Sequence, residues 1–223
     1  MKNPNSFNTL RFMKSLRGDN GRRARAYWIK GFSDPYFPFL FLVRNLITVQ
    51  GEPWWRALSP RSKKSSLRII AGRRISFFRD LKEWKKRRGE LEELRLLAAA
   101  APEVADYCHR CGLCCEVSSG LWDFPEKCEI PPRWRAVFAN GLGKGHRFCP
   151  FLWGDRRSGG SLCAVHPWRS IPCRLFESEE CEYFWKSPLP PELTSRAALM
   201  HLRRCLSDLV YSRELPLRGT RRP

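Results

Sequence analysis

Acidic residues are scarce, cysteine is missing from the first 107 positions, and the chain has only 4 His and 3 Met in 223 residues. The acidic shortfall is the largest bias: 22 Asp/Glu face 41 Lys/Arg, a formal charge of +19. Such a field disfavours basic partners and favours polyanions, whether nucleic acid, an anionic membrane surface or an acidic protein. Long apolar runs are missing near the N-terminus. The longest uncharged apolar stretch there, Pro35 to Val43, is far short of the roughly 20 residues a membrane span needs, so no transmembrane segment is expected. Residues 1–30 have no apolar signal core, and Arg22-Arg23 is not followed by one. The expected location is therefore cytoplasmic. A glycine-rich nucleotide loop of the Rossmann or P-loop type is also lacking. With no nameable base, nucleophile or cofactor pocket, the sequence leaves open whether the chain is an enzyme.

What is present is unevenly arranged. Residues 1–100 hold 23 Lys/Arg against 8 Asp/Glu, a balance of +15, whereas residues 101–223 hold 18 against 14, a balance of +4. Hydrophobic residues make up 43 %, near the globular average, so the length allows a packed core. Residues 1–30 read as a poorly ordered basic arm. An aromatic-rich stretch follows at 35–55, with a short helix expected from about Pro38 to Thr48. Ser59 to Arg68 reads as a basic, Ser-rich loop. Between 75 and 100, Ile75, Phe78, Leu81, Trp84, Leu91, Leu94 and Leu97 recur at three- and four-residue steps, the period of an amphipathic helix. Its basic residues Lys82, Lys85, Lys86, Arg87 and Arg88 form either a solvated face or a surface for nucleic acid or lipid. A short helix is expected after Pro131-Pro132, ending before Gly141. Residues 154–161 read as a turn-rich loop, and 194–212 as a helix with Leu199, Leu202, Leu206, Leu209 and Val210 in one stripe.

The chemistry is concentrated in the ten cysteines, all at or after residue 108. In a reducing compartment clustered cysteines read as metal ligands or redox groups before disulfides. The central run is Cys108-His-Arg-Cys111-Gly-Leu-Cys114-Cys115. Two cysteines separated by two residues can aim both sulfurs at one ion, and the tight loop between them turns backbone N–H groups toward the thiolates. Gly112 suits such a loop because it tolerates positive φ. The Cys-x2-Cys-x2-Cys spacing also matches the first three ligands of a bacterial ferredoxin site. Adjacent Cys114 and Cys115 point apart, so one ligates while the other packs, or the two serve neighbouring sites. The sequence does not choose. Downstream lie Cys149-Pro-Phe-Leu, Cys163-Ala-Val-His166-Pro167, then Arg169, Cys173-Arg174, and Cys181.

Over residues 105–185 this order resembles the CxxCxxCC cysteine-cluster family, the YkgJ-like group described as zinc- or iron-chelating proteins. That pattern has a Cys-x2-Cys-Gly-x-Cys-Cys run, a Cys-x-x-Leu step, a Cys-x-(Ile/Val)-(Tyr/His) segment and a closing Arg-Pro-x-x-Cys-Arg. The chain departs from it at Ser170, which stands where proline follows the arginine. The resemblance implies a cysteine-bound metal centre, zinc or iron–sulfur in different members, and a similar flagellin lysine methylase implies a [4Fe–4S] cluster. It leaves the basic first hundred residues uncovered.

The candidate ligands are therefore Cys108, Cys111, Cys114, Cys115, Cys149, Cys163 and Cys173, with Cys181 as an eighth. They exceed the need of one tetrahedral zinc and suit one four-iron cluster with spares, or two sites. Cys128 and Cys205 read as structural. His166, Arg169 and Arg174 are candidates for the surroundings of the centre. For the arginines, charge compensation of thiolates competes with ordinary surface pairing to Glu177, Glu179 and Glu180. The expected fold is mainly α, a small irregular metal-stapled cysteine-rich domain with flanking helices. Its expected divisions are a basic extension (1–70), a basic amphipathic helix (71–101), the cysteine domain (102–190) and a terminal helix with a basic tail (191–223). The expected function is an iron–sulfur protein with a redox or electron-transfer role and a redox partner protein. The alternative is a structural zinc module whose basic arm, aided by exposed Trp54 and Trp55, binds nucleic acid. A metal-dependent protein-modifying enzyme is a minor third reading.

Overall fold

The computed structural model describes residues 21–90, 112, 114–117, 123–154, 161–174, 177–179 and 182. The helix expected at 194–212, and Cys108, Cys111, Cys181, Cys205, His109 and His201, lie outside these residues. The described part is mainly helical, 61 % helix and 5 % strand.

The element order is α1 (Gly21–Ser33), α2 (Phe39–Gln50), α3 (Pro53–Arg56), α4 (Pro60–Arg87), α5 (Cys114–Val117), α6 (Pro132–Asn140), β1 (Leu152–Gly154), β2 (Ser161–Cys163), a 3₁₀ turn (His166–Trp168) and α7 (Ile171–Arg174). Helix α4 organises the rest. At 28 residues it is about 42 Å long. Ser59 caps it by accepting the Ser62 amide at 3.2 Å, and Pro60 occupies its first turn. Lys85, Lys86 and Arg87 in the last turn oppose the partial negative charge of that end. Leu67, Ile70, Ala71, Arg74, Ile75, Phe78, Leu81 and Lys85 share its buried face at steps of one, three and four residues.

Helix α1 crosses α4 closely at Gly31, where a Cβ would meet the Ile75 side chain at 2.7 Å. Trp28 of α1 is buried, and Phe32 packs its ring against Trp28, Phe37 and Phe39. Helix α2 contributes Phe41, Leu42, Val43, Leu46 and Val49 to the same core. From the cysteine-rich half come Ile130, Trp134, Phe138, Phe148, Phe151, Leu152, Trp153 and Leu162. One hydrophobic cluster therefore contains residues from both halves of the chain.

Several expectations change. Residues 21–30 belong to a packed helix, not to an arm, because Tyr27 and Trp28 supply an apolar side. Residues 60–68 are the first turns of α4 rather than a loop, since the Ser59 cap and Pro60 start the helix fifteen residues before its visible period. That helix ends at Arg87, and Gly89 at φ +74° follows it. Its basic residues are not all solvated: Arg74 and Lys85 are buried. Trp55 is buried in the core rather than exposed. The ends of the loop expected at 154–161 are the ends of an antiparallel hairpin, with Leu152 opposite Cys163, Trp153 opposite Leu162 and Gly154 opposite Ser161. The helices expected at 38–48 and after Pro132 are present as α2 and α6, the second followed by Gly141 at φ +65°.

Candidate metal centre

Five described cysteines reach one region through three chain segments. Cys114 and Cys115 start α5 just after Gly112, which has φ +75°. A Cβ on Gly112 would lie 2.5 Å from Phe41 Cζ, so close packing on α2 also requires glycine there. The Cys149 amide donates to the Cys115 carbonyl at 2.8 Å, which joins the second segment to the first. Cys163 arrives through the hairpin, opposite Leu152. Cys173 lies in α7, and the Ile171 amide ties that turn to the Asp123 carbonyl at 2.8 Å.

The sulfurs influence one another. Cys115 Sγ is the shared hydrogen-bond partner of Cys114 and Cys149. Sharing the Cys115 proton draws Cys114 down to about 7 and lowers Cys149, while Cys115 itself is raised well above the usual thiol range. Burial pushes Cys163 up to about 12, and charge on Cys149 adds to the shift. Burial likewise raises Cys173, which senses charge on Cys149 and Cys114. None of these cysteines is in a disulfide. Among the described residues, no group of three or more Cys, His, Asp or Glu side chains is gathered closely enough to hold an ion. The convergence is thus pairwise, around Cys115 and Cys149.

Two arginines face this set. Arg74 is 1 % exposed. It donates to the carbonyls of Cys149 at 3.1 Å and Leu152 at 2.5 Å, and lies 4.2 Å over the Phe148 ring. It has no carboxylate partner among the described residues, and its Nε is unpaired. Burial lowers its pKa to about 9, while Cys149 and Cys115 pull the other way. Arg169 is half-buried, also with an unpaired Nε, and its charge is felt by Cys114, Cys163 and Cys173. Burying an unpaired cation costs several kcal/mol, so a negative centre beside these guanidiniums offsets a penalty that carbonyls alone do not.

No protein-family model, curated protein or solved structure matches the chain.

Other candidates fall elsewhere. His166 is half-buried in the 3₁₀ turn, its pKa lowered by burial and then by Arg169. Arg174 is exposed. Cys128 is buried beneath α6, where its carbonyl accepts from Arg135 at 2.7 Å. Two residues were not legible as site residues. Arg74 lies thirty-four residues before the first cysteine, within a periodic basic helix, and nothing in its neighbours marks it. Ser170 had a signal, as the departure from proline: its hydroxyl donates to Cys173 Sγ at 3.4 Å and lowers that thiol's pKa.

No described helix is long and apolar enough to cross a membrane.

Proposed function

We propose that the chain is a cysteine-ligated metal protein, most consistent with an iron–sulfur cluster serving a redox or electron-transfer role. The observation that carries this reading is the pairing of thiols with Arg74 and Arg169, two guanidiniums that have no carboxylate partner among the described residues. A neutral cluster of packed thiols would leave both charges uncompensated. Metal-bound thiolates carry net negative charge and offset them. The donor set is all sulfur, which suits zinc or iron–sulfur over harder ions.

Cys114, Cys115, Cys149, Cys163 and Cys173 would hold the group, together with Cys108, Cys111 and Cys181 from the sequence pattern. The eight candidate thiols of the sequence pattern exceed one tetrahedral zinc, which favours a cluster or two sites. When bound, a four-iron cluster supplies one-electron transfer at a potential set by its surroundings. The chain's own residues set those surroundings. Arg74 and Arg169 add positive charge, Ser170 donates a hydrogen bond to one sulfur, and Phe41, Phe148 and Phe151 belong to the apolar core alongside. The raised thiols of Cys115, Cys163 and Cys173 must lose their protons for ligation, so loading should release protons. The resemblance to the CxxCxxCC family supports the same reading and supplies no reaction. A lysine methylase-like activity remains a subsidiary proposal, tested by turnover with S-adenosylmethionine.

Protein purified without oxygen should be brown, contain iron and acid-labile sulfide, and lose its C-terminal structure on chelation. A colourless, zinc-loaded preparation that resists iron reconstitution would instead favour the structural zinc module. Unchanged circular dichroism and melting after chelation and oxidation would overturn both.

A further inference from the structure

A second feature lies away from the sulfurs. Between α6 and Phe148 the chain runs Gly141-Leu142-Gly143-Lys144-Gly145-His146-Arg147, with φ of +65°, +105° and +88° at its three glycines. The loop lines a cleft of about 600 Å³ with Val49, Trp54 and Asn140. We infer that this cleft binds a phosphate group, through the loop amides together with Lys144 and Arg147.

The loop is built rather than slack. Asn45, buried in α2, donates to the Gly145 carbonyl at 2.7 Å and accepts the Arg147 amide at 2.7 Å. Arg73 of α4 donates to the Leu142 carbonyl at 3.2 Å. A Cβ at Gly143 would meet the Arg73 guanidinium at 2.1 Å, and one at Gly145 would meet Ile70 Cδ1 at 2.7 Å. The backbone angle therefore favours glycine at both positions, and the close side chains would have to shift to admit a Cβ. Positive φ at alternate residues is a feature that backbone anion sites share. The amides of Gly143, Lys144 and Gly145 donate to no described residue.

The side chains point to the same ligand. Both ring nitrogens of His146 are buried without a hydrogen-bond partner, although the ring lies near the Ile70 carbonyl. Lys144 Nζ lies 4.3 Å over the Trp54 ring. Arg147 is paired with Glu52, the one carboxylate recorded against the cleft's cations among the described residues. Two cations of the lining, Lys144 and Arg147, thus face one carboxylate among the described residues. A phosphate completes the balance and accepts several charge-assisted hydrogen bonds at once. Two sources offer this chemistry, free phosphate and the phosphate of a nucleotide.

Calorimetric titration of the full chain with inorganic phosphate, and separately with AMP, in low-salt phosphate-free buffer tests the site. Saturable one-site binding is expected. Lys144→Ala and Arg147→Gln should each weaken it about tenfold, as loss of a charge-assisted hydrogen bond does. Lys127→Ala, at an exposed cation outside the cleft lining, should leave it unchanged, and all three variants should melt like the parent. Equal affinity for the two ligands assigns bare phosphate, and tighter AMP binding assigns a nucleotide. Failure of both ligands to saturate, or an equal loss in Lys127→Ala, overturns the site in favour of a diffuse basic field.

Discussion

From Gly21 to Arg87 the chain forms helices of 13, 12, 4 and 28 residues joined by short turns. From Gly112 to Arg174 the longest described element is the nine-residue α6, and both strands have three residues. Both regions feed one core, yet they hold themselves differently. The helices satisfy their own backbone and need only bury a stripe. The cysteine segments have few internal ladders and lean on long-range ties: Cys149 to Cys115, Ile171 to Asp123, and Arg74 to two carbonyls. The lesson is that α4 serves as both a core helix and a wall of the candidate centre, with Arg74 as the joint.

The largest expected effect separates the two modes of support. Ile75→Ala empties a fully buried position and should cost about 2–5 kcal/mol in urea unfolding, with or without metal. Cys149→Ser should cost far less in the metal-free chain and much more in the loaded one. Equal costs in both states would erase the distinction between the regions.

Arg74→Met probes the joint. If the thiols carry charge, the variant should weaken metal retention, while the metal-free chain becomes as stable as the parent or more so, by about 1–3 kcal/mol. Parallel losses in both states would make Arg74 a carbonyl clamp and no more. Chelator competition and thermal melting read the two quantities.

His146 offers a pH test on the cysteine-bearing side, where it packs toward α4. Burial, then Arg74 and Arg73, lower its pKa from 6.5 to about 3. Between those values the unfolded chain binds a proton that the folded one refuses. Stability is therefore complete above about pH 6.5 and falls on acidification toward 3, at no more than about 1.4 kcal/mol per pH unit. His146→Gln should flatten that slope in melts recorded across the window, and an unchanged slope would assign it to other groups.

The smallest effect tests the helix start that periodicity alone missed. Ser59→Ala should cost about 1 kcal/mol and fray the first turn of α4, seen as faster amide exchange at Ser62. No change would mean that packing alone sets the helix boundary.

Composition, periodicity and glycine placement were enough to indicate the mainly helical character of the described residues, the helices near 39–50 and 132–140, and the glycine-dependent turn at Gly112. These are local properties: a 3.6-residue stripe, a proline at a helix start, a glycine at positive φ. The rest depended on partners distant in sequence. Arg74 looks like its basic neighbours until α4 turns it beneath Cys149 and Leu152. Ser59 to Arg68 looks like a loop because charge and serine hide a capped helix start. The glycine-rich loop before Phe148 becomes a cleft only when Asn45 and Arg73, from two other helices, fix its carbonyls and amides. Burial and long-range hydrogen bonds decide which of many similar cations sits in the core, and the tertiary structure alone assigns them.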